Sequence, residues 1–196
     1  MAAAVRLATR DDSQDLARVL ARAFDDDPVT RWVYGEGRGR PRWSGNFFAW
    51  QLRRLVPQDV TWTTDEREGA AIWALPERWR ESTGEMLRLV ATTFPGILAR
   101  APRVLRGLGQ VEARHPHERH LYLAVLGVEP DRQGDGVGSA LIRPGLDLCD
   151  REALPVYLET ARERNVTFYS RHGFRVTEEL RLPGGPPIWL MWRDPA

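Results

Sequence analysis

Lysine is absent. All 28 basic residues of the 196-residue chain are arginine, which excludes a P-loop of the form GxxxxGK[ST], whose lysine reaches the nucleotide phosphates. Cysteine is nearly absent too. Cys149 stands alone, so no intramolecular disulfide can form, as suits a reducing cytoplasm. No apolar run approaches the roughly 18 residues of a membrane span, and the N-terminus lacks the apolar stretch of a signal peptide. A cytoplasmic protein with no membrane partner is therefore expected. An excess of one charge is also missing: the formal net charge is +1, which gives no electrostatic reason to expect a nucleic-acid partner. Repeats and long linkers are lacking, and a chain of this length can bury one core, so residues 1–196 read as a single domain.

What is present centres on Gln133-Gly134-Asp135-Gly136-Val137-Gly138-Ser139. Upstream, residues 121–128 are a nearly continuous apolar run, as expected of a buried strand. Downstream, Leu141, Ile142, Leu146, Leu148 and Cys149 recur at roughly helical spacing. A glycine-rich turn entering a helix offers unpaired backbone N–H groups and the positive end of the helix dipole. Small residues at 134, 136, 138 and 139 let a bulky anion approach that backbone, so the turn is a candidate diphosphate cradle. A plain strand-to-helix turn would have the same glycines. The dinucleotide fingerprint GxGxxG is a second alternative, with Ser139 at its third glycine and Glu159 mimicking its ribose-binding acid, but that fingerprint normally opens a domain.

Along the chain, residues 4–9 alternate like a first strand. Thr9-x-x-Asp12 has helix-start chemistry, and Leu16, Val19, Leu20, Ala23 and Phe24 form an apolar stripe. Asp25-Asp26-Asp27-Pro28 is expected to end that helix, its carboxylates opposing the dipole unless solvated or recruited. Residues 35–42 read as a loop before a second helix over 43–55. Residues 59–64 and 70–75 read as a hairpin. Residues 77–117 are an insertion of two or three helices, with Leu87, Leu89, Val90, Phe94, Ile97, Leu98, Val104, Leu105 and Leu108 too apolar for a linker. The insertion is either a cover or subunit contact at an acceptor cleft, or a structural extension of the core. Two strands close the chain, around residues 175–182 and 188–192. The order predicts an α/β (α+β) protein with a mixed sheet of about seven strands and helices on both faces.

Gln133-x-x-Gly136-x-Gly138 resembles the (R/Q)xxGx(G/A) motif of the GCN5-related N-acetyltransferases (GNAT), and is followed in family order by residues 156–160, Asn165, Phe168-Tyr169 and His172-Gly173-Phe174. The resemblance is nearest to the puromycin N-acetyltransferase-like branch, through residues 5–12, Ala23-Phe24, Pro28, Thr30-Arg31, Gly127-Val128, Pro144-Gly145, Leu158-Glu159-Thr160 and Arg164-Asn165. It covers residues 120–193 strongly and 1–31 well. It implies the GNAT fold, with strands 4 and 5 splayed and the helical insertion between strands 3 and 4. It also implies acetyl-CoA as co-substrate, held by the main chain at Leu126 and Val128, by residues 133–139 and by Asn165. The activity implied is acetyl transfer to a small-molecule primary amine such as an antibiotic or natural product, by a monomer or homodimer. A protein or peptide amine, or a silent acyl-CoA sensor or scaffold, are the alternatives.

The chemistry requires reactants to be oriented, an amine deprotonated, an oxyanion stabilised and a thiolate protonated. Tyr169 is the candidate acid, since a phenol near pKa 10 stays protonated at neutral pH. It sits one helical turn after Asn165, though Tyr169 would serve equally as packing for Phe168 and Phe174, and Asn165 as an N-cap. Glu159 is the leading candidate base, with Asp26, Asp27, Glu112, His115, His117, His120 or a water chain as alternatives. The three histidines sit in a segment that reads as exposed and charged, without the partners of a metal site. Cys149 lies mid-helix without a motif histidine and is no nucleophile candidate. Tyr34, Trp43 and Tyr122 are aromatic candidates for the acceptor pocket, and Gly127 suits a bulge that opens the sheet.

Overall fold

A computed structural model describes residues 4–80 and 83–196, without the side chains at 83, 86–88, 94 and 95; Leu87 and Phe94 of the insertion stripe therefore lie outside the described side chains. Strand β1 (Val5–Leu7) leads to helices α1 (Ser13–Ala23), α2 (Pro28–Tyr34) and α3 (Arg40–Leu55), then the hairpin β2 (Thr61–Thr64) and β3 (Gly69–Ala74). Helices α4 (Thr83–Ile97) and α5 (Ala101–Glu112) form the insertion, and β4 (Leu121–Val128), α6 (Val137–Arg151), β5 (Val156–Thr160), α7 (Glu163–Ser170), β6 (Arg175–Arg181) and β7 (Pro187–Arg193) complete the chain. The seven-stranded sheet has the order β1-β2-β3-β4-β5-β7-β6. Only β4 and β5 run parallel among these neighbours.

Alternation along β3 divides the core. Ala70, Ile72 and Ala74 face Leu16 and Leu20 of α1 and Phe48, Leu52 and Leu55 of α3. Ala71 and Trp73 face Leu141, Ile142 and Leu146 of α6, as a period-two strand requires. A third cluster sets Trp32 of α2 and Val104 of α5 against Tyr157, Leu190 and Trp192. The insertion thus contributes a structural layer: a Cβ on Gly107 would come within 2.6 Å of the Trp32 ring. Its Leu98, Leu105 and Leu108 stay exposed.

One expectation is extended here and another fails, each for an identifiable reason. Asp25-Asp26-Asp27-Pro28 does not only end α1; it also starts α2, because the Asp27 carboxylate accepts from the backbone N–H of Val29 at 2.9 Å and Thr30 at 3.0 Å with Pro28 at the first helical position. The acidic run is recruited, not merely solvated: Asp25 pairs with Arg40 at 3.1 Å and Asp26 pairs with Arg162. The second concerns the bulge. Ile72 pairs with Val125 but Trp73 with Leu123, so the extra residue is Ala124, not Gly127. The bulge reverses which face β4 presents: Leu121 and Leu123 lie under α6, whereas Val125 joins the α1–α3 side. Gly127 is small for another reason, since a Cβ there would meet Leu20 at 2.6 Å and Phe24 at 2.8 Å.

The helix-start chemistry at Thr9-x-x-Asp12 becomes an ionic anchor. Asp12, 1% exposed, accepts from Arg6 at 2.8 and 2.9 Å, from Arg67 at 2.7 Å and from the Thr9 backbone N–H at 2.8 Å. The Arg6 guanidinium, then the other donors, hold its carboxyl well below the usual carboxylate range against the opposing effect of burial. A carboxyl depressed in this way stabilises the fold above the unfolded value near pH 4, and the benefit fades as pH falls towards the folded value. Asp12→Asn is therefore expected to cost on the order of 2–4 kcal/mol at pH 7. In urea melts the gap between variant and parent should narrow steadily below about pH 4.

Candidate active site

Strand β4 pairs with β5 only at Leu121↔Val156 and Tyr122↔Tyr157. Immediately beyond, the Ala124 bulge turns β4 towards β3, while β5 stays paired with β7 along its whole length. The β4 edge from Leu123 to Val128 is thereby left without a strand partner on the β5 side, and the sheet opens there into a slot. Leu126 is partly buried and Val128 buried on the α6 side, so what they can offer a ligand is main chain.

At the mouth of the slot lies the glycine loop. Gly134 and Gly136 have φ of +97° and +82°, values that L side chains rarely adopt, and a Cβ on either would meet no atom within 4 Å. Gly136 is the N-cap of α6. Gln133 spends its side chain holding the loop, its Nε2 donating to the Val128 carbonyl at 3.1 Å. Asp135 pairs with Arg132 at 3.2 Å, which in turn pairs with Glu68 at 2.7 Å. Val137 is buried in the core. A Cβ on Gly138 would touch Phe168 at 3.6 Å, and the Ser139 hydroxyl lies 3.1 Å from His172 Nε2. Open backbone ahead of a helix N-terminus suits a diphosphate, so these residues fit the pyrophosphate of a CoA thioester.

Helix α7 flanks the slot. Asn165 is its third residue and not its N-cap, a place taken by Arg162; the Asn165 amide donates instead to Thr160 Oγ1 at 3.1 Å, tying α7 to the end of β5. Tyr169 is only 7% exposed and packs edge-on against Phe168 and Phe174. The packing reading is thus correct for its ring. Its hydroxyl has no hydrogen-bond partner among the described residues, and burial raises the phenol's pKa well above 10, so it remains a proton donor.

Across the slot, Glu159 Oε2 accepts from the Tyr122 hydroxyl at 2.8 Å, and its Oε1 lies 3.7 Å from His115 Nδ1. Of the three aromatic pocket candidates, Tyr122 is the one joined to Glu159. His115 stacks on Trp79 with ring centroids 3.5 Å apart. His115 Nε2 and His120 Nε2 are 3.0 Å apart, and His120 Nδ1 lies 2.6 Å from the Glu118 carbonyl. Of the three histidines in this segment, only His117 has the exposed character expected: His115 and His120 are 6% and 1% exposed. A signal was available, because His120 stands two residues before Tyr122, in phase with the buried strand. No group of metal-ligating side chains occurs among the described residues.

The remaining base candidates are placed elsewhere. Asp27 caps α2 and lies 3.7 Å from Arg162, and Glu112 is exposed at the end of α5. Burial pushes the Cys149 thiol up to about 12, which removes it as a nucleophile.

Residues 99–176 match the acetyltransferase (GNAT) domain. Mycothiol acetyltransferase of Acidimicrobium ferrooxidans is 30% identical over 128 residues, covering 61% of this chain and 34% of that protein. The chain spans between about a fifth and a third of the length of the curated relatives it matches. Among solved structures, histone acetyltransferase HPA2 and related acetyltransferase from Corynebacterium glutamicum superposes with a TM-score of 0.75 at 25% identity, over 100% of this chain and 98% of its own. Drosophila melanogaster polyamine N-acetyltransferase, at 16% identity and a TM-score of 0.64 over 97% of this chain and 98% of its own, shares the fold. The mixed sheet opened between β4 and β5 matches the fold of these acetyltransferase structures, and residues 99–176 are the part of the chain that is similar to the GNAT domain. No helix among the described residues is long and apolar enough to cross a membrane.

Proposed function

We propose that this protein is an acetyl-CoA-dependent N-acetyltransferase that transfers the acetyl group directly to a primary amine of a small molecule. The observation that carries the reading is the sheet opened between β4 and β5 with the glycine loop at the start of α6; the unpartnered Tyr169 hydroxyl on α7 and the Glu159 carboxylate on β5 are the groups assigned to the chemistry. Acetyl-CoA supplies the acyl group as a thioester. The amides at the start of α6 hold its diphosphate, the free edge of β4 at Leu126 and Val128 lines its pantetheine arm, and Asn165 fixes the start of α7 against that arm. Glu159, oriented by the Tyr122 hydroxyl, takes a proton from the amine. Tyr169 gives its proton, or a hydrogen bond, to the departing thiolate, whose pKa near 8.5 lies below that of a phenol. Acid and base assistance of this kind each contribute about 10²–10⁴-fold.

A small amine is favoured by the relatives, which include a mycothiol acetyltransferase and a polyamine N-acetyltransferase said to form N-acetylagmatine. A carboxylate framed by the Tyr122, Tyr157 and Trp79 rings suits a cationic amine. An antibiotic or natural-product acceptor rests on the sequence likeness to the puromycin-acetylating branch. The test is thermal unfolding with and without acetyl-CoA, followed by thiol release across agmatine, tyramine, puromycin and a short peptide. Acetyl-CoA at about 100 times its Kd should stabilise by roughly 2.7 kcal/mol. Turnover of an amine supports the enzyme, a shift with no turnover supports a silent sensor, and no shift overturns the cradle.

A further inference from the structure

We propose that His115 and His120 form a tautomer-locked pair that presents an imidazole lone pair to Glu159 and relieves it of the proton taken from the amine. The inference rests on the acetyltransferase reading and adds a specific route for that proton.

The tautomers follow from hydrogen bonding alone. A carbonyl oxygen can only accept, so the 2.6 Å contact between His120 Nδ1 and the Glu118 carbonyl requires a proton on Nδ1. His120 is buried, which disfavours its charged form and outweighs the opposing pull of the Glu118 carbonyl; the neutral ring therefore carries a lone pair on Nε2. The 3.0 Å contact between the two Nε2 atoms then requires His115 to be the donor. A neutral His115 protonated at Nε2 has its remaining lone pair on Nδ1, the atom that faces Glu159 Oε1 at 3.7 Å. An ionised carboxylate also presents only lone pairs. Two acceptors thus face one another with room for one more proton.

That vacancy is where the amine proton goes. Glu159 breaks an N–H bond of the ammonium and forms an O–H bond; the same proton then passes to His115 Nδ1, restoring the carboxylate and leaving an imidazolium. An imidazole is a stronger base than a carboxylate in water, which is the direction this transfer needs. Nothing else need rearrange, because His115 Nε2–H continues to donate to His120 in both charge states. The imidazolium would be stabilised by Glu159 and by the Trp79 face stacked on it. Trp79 also lines a surface cavity with Arg80, Gly109, Glu112 and Ala113, which places the stack next to solvent for the proton's release.

The groups that set its charge come from every side. Glu159 and Tyr157 approach from β5, Tyr122 from β4 and Glu118 from the preceding loop. Arg80 lies over the Trp79 ring, and Glu112 and the Arg114–Glu178 pair lie at the end of α5 and on β6.

The test compares wild type with His115→Gln, which keeps a donor for His120 but cannot titrate. The amine is whichever member of the panel turns over. The expected result is a loss of about tenfold or more in kcat/KM at pH 7 and an unchanged thermal shift with acetyl-CoA. Added imidazole should restore activity to His115→Ala. A kcat/KM of His115→Gln equal to that of an active wild type overturns the relay alone. An inactive wild type overturns the acetyltransferase reading and the relay with it. Independently of activity, imidazole 15N correlation spectra of the full chain should show His120 protonated at Nδ1 and His115 at Nε2; the opposite assignment overturns the tautomer lock.

Discussion

Tyr169→Phe is expected to lower turnover by more than tenfold while leaving acetyl-CoA affinity within a few-fold. The ring makes the packing contacts, with centroids 5.2 Å from Phe168 and 5.7 Å from Phe174, and phenylalanine keeps all of them. The hydroxyl makes no hydrogen bond within the described chain, so its removal breaks nothing that holds the fold. Unfolding free energy should shift by less than about 0.5 kcal/mol, the usual scale for a change that disturbs no packing or pairing. Loss of activity without loss of stability separates a proton donor from a core filler. Because burial holds the phenol's pKa above its ordinary value, Tyr169 stays protonated throughout a neutral assay, and no fall in wild-type rate below about pH 10 should trace to it. The measurement is kcat by thiol release beside thermal melts of both proteins. Unchanged turnover would remove Tyr169 from the chemistry.

The sequence made the local features readable and left the non-local ones hidden. Strands, the glycine loop and the long helices follow from periodicity and turn chemistry within a window of a dozen residues, and the structure places them close to where they are expected. Helix α2 escaped because Asp27-Pro28 carries both messages at once, a stop for α1 and a cap for its successor. The β4 bulge escaped because residues 121–128 are apolar throughout, so no alternation exists to reveal a reversal of face at Ala124. Gly127 looked like the bulge, yet it is small because α1 crosses closely there. The histidine pair escaped for a different reason. Its burial comes from Trp79 and Tyr157, distant in sequence, while its immediate neighbours are charged. Glu159 was legible as the acid at the end of a strand beside the slot; its partners Tyr122 and His115 were not legible as partners.

Gly136→Val is expected to abolish acetyl-CoA binding in a protein that still folds. Two costs must be separated. At φ +82° a β-branched residue is strained by about 1–3 kcal/mol, a loss that lowers the melting temperature without unfolding a domain of ordinary stability. The second cost falls on the ligand: a Cβ at this position meets no protein atom within 4 Å, so the added bulk projects into space that the chain leaves open at the α6 N-terminus. Gly136→Ala shares much of the strain with less of the bulk, and should retain part of the acetyl-CoA thermal shift that Gly136→Val loses. Gly145, one further along the same helix, is small for the opposite reason, since a Cβ there would lie 2.3 Å from the Trp73 ring; enlarging it attacks the core and not the ligand. If Gly136→Val melted cooperatively and kept wild-type affinity for acetyl-CoA, the diphosphate would have to bind elsewhere, and the helix N-terminus would lose its part in the reaction.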